Sequence, residues 1–154
     1  ARHVLDHPEL VRGRRVLDFA TGSGLVAIAA ARAGAARVVA TDVAPFCEAV
    51  VPMNAALNGV TLELRLEDLL GVAVDGFDVV LAGDVFYEQP LASRAEAWLR
   101  GLAGRGVTAL AGDPGRLYSP RTGTRDRGHY DVPVSEEIES RPVMRTWIVE
   151  LAPG

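Results

Sequence analysis

The stretch Val16-Leu17-Asp18-Phe19-Ala20-Thr21-Gly22-Ser23-Gly24-Leu25-Val26-Ala27 restricts the fold more than any other, because an apolar strand runs into a glycine turn that opens a helix. Gly22 and Gly24 have no Cβ, so the backbone can turn tightly and approach a ligand, while the first helical amides remain unsatisfied donors. The spacing matches Gly-x-Gly-x-x-Ala, a nucleotide-binding pattern that says little alone. Two carboxylates sharpen it. Asp18 lies at the end of the first strand, and Asp42 follows Arg37-Val38-Val39-Ala40-Thr41, where a second strand should end. A carboxylate there can accept ribose hydroxyls. Dinucleotides and S-adenosylmethionine both fit this frame, and Asp18 favours the second. It would repel a pyrophosphate, whereas the methionine part of S-adenosylmethionine carries an ammonium and a sulfonium.

With 154 residues, 49% apolar and 23% charged, one domain over 1–154 is expected, with a core large enough to stand alone. No apolar run reaches the length of a membrane span, and Ala-Arg-His-Val-Leu-Asp-His-Pro at the start lacks the pattern of a signal peptide. The expectation is a soluble, cytoplasmic protein. A lone Cys47 excludes an internal disulfide and agrees with a reducing compartment. The net charge of -4 argues against a nucleic-acid binder. Arginines nevertheless cluster, Arg12, Arg14 and Arg15 ahead of the first strand and Arg116, Arg121, Arg125 and Arg127 in a loop after the fifth. His3, His7 and His129 have no metal-ligand spacing, so no metal is expected.

Along the chain, the end of a short helix over 5–11 precedes a strand over 15–20 and an alanine-rich helix over 24–33 that stops at Gly34. A strand over 37–41 leads to a helical pattern over 44–57, which Pro52 should kink. Strands follow over 61–66 and 77–82, then a helix over 90–102 and a strand over 107–111. Two last β segments, 129–134 and 143–151, flank an acidic connection at Glu136 to Glu139. This alternation implies a doubly wound, mostly parallel α/β sheet, Rossmann-like, with the last two strands as an antiparallel hairpin at one edge. Ligands then bind beyond the carboxyl ends of the strands.

A second motif, Gly83-Asp84-Val85-Phe86-Tyr87-Glu88, puts two carboxylates around two aromatic rings at such a strand end. It reads either as a cage for a cation, worth roughly 0.5 to 2 kcal/mol per aromatic face, or as core packing of Phe86 and Tyr87 with Asp84 capping the next helix. Together with Trp98-Leu99, Asn54, Asn58 and Gly112-Asp113-Pro114-Gly115-Arg116, these residues resemble the seven-strand class I methyltransferases that use S-adenosylmethionine. Within them the chain resembles the electron-transfer-flavoprotein β-subunit lysine methyltransferase family. The resemblance implies lysine methylation on a flavoprotein partner, with no nucleic acid and no membrane involved, and catalytic roles on Asp84, Phe86, Tyr87 and Glu88. It implies cofactor roles for Asp18, Gly22 and Gly24 at the methionine end, Asp42 at the ribose and Asp68 at the adenine. Ala20, Thr21, Val43 and Gly83 complete the implied cofactor set.

Two departures stand out. The family usually has glycine where this chain has Ala20, and its members carry a Trp-Pro-Gly-Gly-like segment ahead of the position of Ala1. The single domain is therefore expected to be short at its N-terminus relative to the family. All sixteen basic residues are arginine, so a lysine methyltransferase of this sequence cannot modify itself. Three other readings share the frame: methylation of a small amine, an NAD-dependent oxidoreductase, and a binding module without catalysis. The second lacks a Tyr-x-x-x-Lys pair.

Overall fold

The computed structural model describes residues 1–134 and 142–154, so the acidic connection at Glu136 to Glu139 lies outside the described residues. A short helix α1 (Arg2–Asp6) and a 3-10 turn (Pro8–Leu10) lead into β1 (Arg15–Phe19). Then come α2 (Leu25–Arg32), β2 (Arg37–Asp42), α3 (Cys47–Leu57), β3 (Glu63–Leu66), β4 (Val79–Gly83), α4 (Leu91–Gly104) and β5 (Thr108–Asp113). The chain ends with β6 (Thr124–Pro133) and β7 (Val143–Leu151). The seven strands form one sheet in the order β3-β2-β1-β4-β5-β7-β6. Neighbours from β3 to β5 are parallel, and β7 runs antiparallel to both β5 and β6.

Alternation along the strands divides the core into two layers. Leu17, Val39, Val80, Ala82, Ala109 and Ala111 face α4, which answers with Ala92, Ala95, Trp98, Leu99 and Leu102 at helical spacing. Val16, Val38, Ala40, Val79, Leu81 and Leu110 face the other way, onto Ala27, Ala29 and Ala30 of α2 and Cys47 and Val51 of α3. Alanines on α2 let it lie close to the sheet. Asp18 shares the strand face of Val16, so the same alternation aims its carboxylate at the start of α2.

The sequence placed the elements well and their ends less well. Pro52 lies inside α3 without ending it, and Pro45 belongs to the preceding turn, where Cys47 N donates to Ala44 O. Helix α1 ends before Pro8 rather than running over 5–11. The largest correction concerns β6, which starts at Thr124 and not 129. Pairing with β7 extends from Thr124↔Leu151 to Pro133↔Val143, with an irregularity between Asp126 and Gly128. Arg125 and Arg127 are therefore strand residues, not loop residues. Gly128, at φ 112°, takes a conformation that side chains disfavour, and it had masked the continuity of the strand.

Candidate active site

Chain order reverses around β1, which pairs with β2 on one side and β4 on the other. Open α/β sheets bind ligands beyond the strand ends at such a switch point. Two non-glycine residues among those described have positive φ, Ala20 at 55° and Asp84 at 53°, one beyond each of β1 and β4. Such conformations cost an L-residue roughly 1–2 kcal/mol and tend to gather at functional sites. Both residues line one cavity of about 310 Å³, together with Asp42, Val43, Asp68 and Tyr87.

The glycine turn adjoins this cavity: Phe19 and Ala20 line it, whereas Asp18, Thr21, Gly22 and Gly24 are not among its lining residues. Asp18 is 1% exposed, and its Oδ2 accepts bonds from Thr21 Oγ at 2.6 Å and Ala27 N at 2.9 Å. Both donors are neutral. Burial pushes the Asp18 carboxyl up to about 6 against the opposing pull of these two bonds. Thr21 N donates to Thr41 O at 2.9 Å, and Asn54 Nδ2 of α3 donates to Ser23 O at 2.8 Å, so the turn is tied to β2 and α3. Gly24 at φ 82° precedes α2, and a Cβ there would come within 3.2 Å of Val51. Gly22 differs: at φ 54° its missing Cβ would meet nothing within 4 Å. Its amide donates to Asp42 Oδ2 at 2.8 Å.

Asp42 Oδ1 also accepts from Val43 N at 2.8 Å and Ala44 N at 3.0 Å. Three of a carboxylate's roughly four acceptor positions are thus filled by backbone. The Cys47 side chain also hydrogen-bonds Asp42, so a ribose hydroxyl would share this carboxylate with the protein's own donors. Asp68 Oδ1 accepts from Leu70 N at 2.9 Å and its Oδ2 lies 3.5 Å from Arg94 on α4. Arg94 and Leu91 line the cavity too. Neither is marked by a motif, because an arginine on an amphipathic helix reads as a solvated face.

The aromatic pair separates. Tyr87 is 51% exposed at the cavity wall, but Phe86 is 0% exposed in the core layer beneath α4. A two-ring cage is therefore not formed, since a ring closed off by Val85, Trp98 and Leu99 offers no face to a ligand. Glu88 is exposed and lines neither this cavity nor the apolar one on the other side of Gly83, while its carbonyl accepts Ala92 N at the start of α4. Asp84 does face the cavity, and its carboxylate is held by Arg116, whose Nε and Nη2 donate at 2.7 and 2.6 Å. Asp113, 5% exposed, organises that loop by accepting from Gly115 N, Arg116 N and Ser119 Oγ. Trp98 packs on Phe19 with ring centroids 4.9 Å apart, whereas Trp147 stays 40% exposed beside Gly115.

The residues suit the cofactor that the glycine turn implies. A buried carboxylate among neutral donors matches a cationic methionine end, and Gly22 leaves room where a side chain would intrude. The strand order, the antiparallel end and this carboxylate-lined switch point define the class as S-adenosylmethionine-dependent methyltransferases. Within that class the chain belongs to the family described as ribosomal protein L11 methyltransferase (PrmA), whose model matches residues 4–111.

A relative from Danio rerio, named electron transfer flavoprotein beta subunit lysine methyltransferase, is 36% identical over 146 residues, covering 91% of this chain and 57% of its own. The ribosomal protein L11 methyltransferase of Geobacter sulfurreducens is 51% identical over 73 residues, 47% of this chain and 24% of its own. The magnesium protoporphyrin IX methyltransferase of Synechocystis, solved with bound SAM, superposes with a TM-score of 0.67 at 19% identity, covering 96% of this chain and 74% of its own. That last likeness speaks to the fold. The chain spans about half the length of the flavoprotein-methylating relatives it matches. Among the described residues no helix is long and apolar enough to cross a membrane.

Proposed function

We propose that this chain is a protein-lysine N-methyltransferase that uses S-adenosylmethionine and acts on the electron transfer flavoprotein β subunit. The observation that carries the methyltransferase part is Asp18, a fully buried carboxylate at the glycine turn whose hydrogen-bond donors, Thr21 Oγ and Ala27 N, are neutral. The acceptor rests on the names of relatives 36–39% identical to the chain. A reducing, cytoplasmic setting fits the buried thiol of Cys47.

When bound, S-adenosylmethionine supplies a methyl group that passes to the amine nitrogen while sulfur keeps the bonding electron pair. The chain's residues do the rest. Asp18 and the Gly22 and Gly24 backbone would hold the methionine end, Asp42 one ribose hydroxyl, and Asp68 the adenine side. A lysine near pKa 10.4 reaches the site protonated and must lose that proton to water before it attacks. Asp84 can then accept an N–H of the neutral amine and orient its lone pair. Tyr87 walls the cavity against water. Alignment of this kind is worth roughly 7 to 11 kcal/mol when attack geometry is held.

The family description favours a second acceptor, ribosomal protein L11. Incubating the protein with methyl-labelled cofactor and each purified acceptor separates the two: label is expected on lysines of the flavoprotein β subunit and not on L11. Label on L11 alone would replace the acceptor, and label on neither, with free amines modified instead, would replace the protein substrate with a small one.

Gly22 gives a sharper check of the cofactor part. In Gly22→Ala, the left-handed backbone should cost about 1 kcal/mol of stability. The added methyl, projecting into open space at the turn, should weaken S-adenosylhomocysteine binding more than tenfold in calorimetric titration. An affinity within threefold of wild type would place the methionine end elsewhere.

A further inference from the structure

Gly83 and Asp84 form a seam between the cofactor cavity and a second cavity of about 360 Å³. The second is mostly apolar, lined by Leu81 of β4, Leu110 of β5 and Met144, Thr146 and Ile148 along one face of β7, with His3 of α1 also on its wall. Its two charged walls among the strand-end residues are Asp84 and Arg116, themselves paired. The pair is built from three elements. Asp84 N donates to Gly112 O at 2.8 Å, locking the left-handed Asp84 backbone to β5. Asp113 fixes the turn that presents Arg116. Gly115 packs that turn on Trp147 of β7, where a Cβ would come within 3.2 Å of the indole.

We infer that the apolar cavity takes the alkyl stem of the acceptor lysine, and that Arg116 is a positioning residue that sets the Asp84 carboxylate for the amine. This rests on the lysine methyltransferase reading above. Four methylenes need an apolar sleeve with a polar atom within reach of the amine, and Asp84 is on the wall of this cavity. The two-pronged bond from Arg116 fixes the plane of that carboxylate, which a single ammonium contact would leave free to turn. It also changes what the site prefers. An unpaired carboxylate would hold the incoming group as an ammonium, which has no lone pair to attack with. A carboxylate already paired with a guanidinium still accepts an N–H, while the nearby positive charge favours loss of the amine's proton. In the transfer the nitrogen lone pair forms the new N–C bond, the S–C pair stays on sulfur, and the methylated nitrogen keeps its two protons and takes the positive charge, the balancing proton having left to water before attack.

The test compares Arg116→Ala, Arg116→Lys and Thr146→Trp in the full chain, with the flavoprotein β subunit as acceptor. Both Arg116 variants should bind S-adenosylhomocysteine within threefold of wild type while kcat falls at least tenfold. Lysine should not substitute, because it keeps the charge and loses the fork. Added guanidinium at millimolar levels should restore part of the turnover of Arg116→Ala and none in Arg116→Lys, an outcome that a merely structural arginine would not give. Thr146→Trp narrows the cavity from a half-exposed strand position that tolerates size, and should raise KM for the acceptor at least tenfold. n-Butylamine should inhibit the wild type competitively with the acceptor, and Thr146→Trp should lose that inhibition. Full turnover in Arg116→Lys, or an unchanged KM in Thr146→Trp, overturns the inference and leaves the lysine reading intact. If the wild type transfers no methyl to any lysine, that reading fails and the inference falls with it.

Discussion

Replacing Asp18 with asparagine is expected to leave the protein more stable at pH 8 and unable to hold its cofactor. The sign follows from burial. The Asp18 carboxyl titrates near 6 in the folded chain against 3.8 for the ordinary group, so the folded state binds this proton more tightly than the unfolded state does. Stability contributed by this group is therefore intact below about pH 4 and declines as pH rises to about 6. Above that the charge costs at most about 3 kcal/mol, a shift of roughly two pH units at 1.36 kcal/mol each. Asparagine keeps an oxygen for Thr21 Oγ and Ala27 N and carries no charge to bury. Urea unfolding at pH 4 and pH 8 should show the variant gaining on the wild type only at the higher pH. Binding should move the other way. Removing one partner of a desolvated charge pair costs about 2 to 5 kcal/mol, so S-adenosylhomocysteine affinity should fall at least ~30-fold. A variant that binds normally, or that is less stable at pH 8, would show that Asp18 serves the fold and not the ligand.

Asp18 stood out as a candidate in the sequence for the same physical reason that its stability and binding effects are expected to diverge. A carboxylate between Leu17 and Phe19 of a buried strand violates the apolar pattern, and such violations mark sites. The glycines and Asp42 were readable for a related reason, since each falls where strand periodicity stops. Periodicity likewise set out the alternation of strands and helices, and the lack of a clear helix near the end announced the antiparallel hairpin. What stayed hidden depends on pairs far apart in sequence. Nothing local joins Asp84 to Arg116, 32 residues on, or shows that Asp113 turns inward to hold that loop. Arg94 was equally silent, because its meeting with Asp68 needs α4 to cross the end of β3. Gly128 hid the length of β6 by breaking the side-chain pattern where the ladder only bulges.

Phe86 and Tyr87 are adjacent in sequence and are expected to fail in opposite ways when truncated. Phe86 is wholly enclosed beneath α4, so Phe86→Ala removes a large ring from a packed layer and should cost about 3 to 5 kcal/mol. For a chain of this size that lowers Tm by roughly 10 °C. Against a total stability of about 5 to 15 kcal/mol, the variant stands near the limit of folding at ordinary temperatures. Tyr87, half exposed on the cavity wall, has little packing to lose, and Tyr87→Ala should leave Tm within about 2 °C. Its effect belongs to the site: lower affinity for S-adenosylhomocysteine or a higher KM for the acceptor. Phe86→Leu separates the two roles of the inner residue, because leucine restores most of the apolar volume but has no aromatic face. If Phe86 only supports the wall, the leucine variant recovers most of the lost Tm and nearly all of the turnover. If a ring at this position grips the acceptor, the leucine variant is stable and slow, and the strand-end loop must open to expose residue 86 during the reaction.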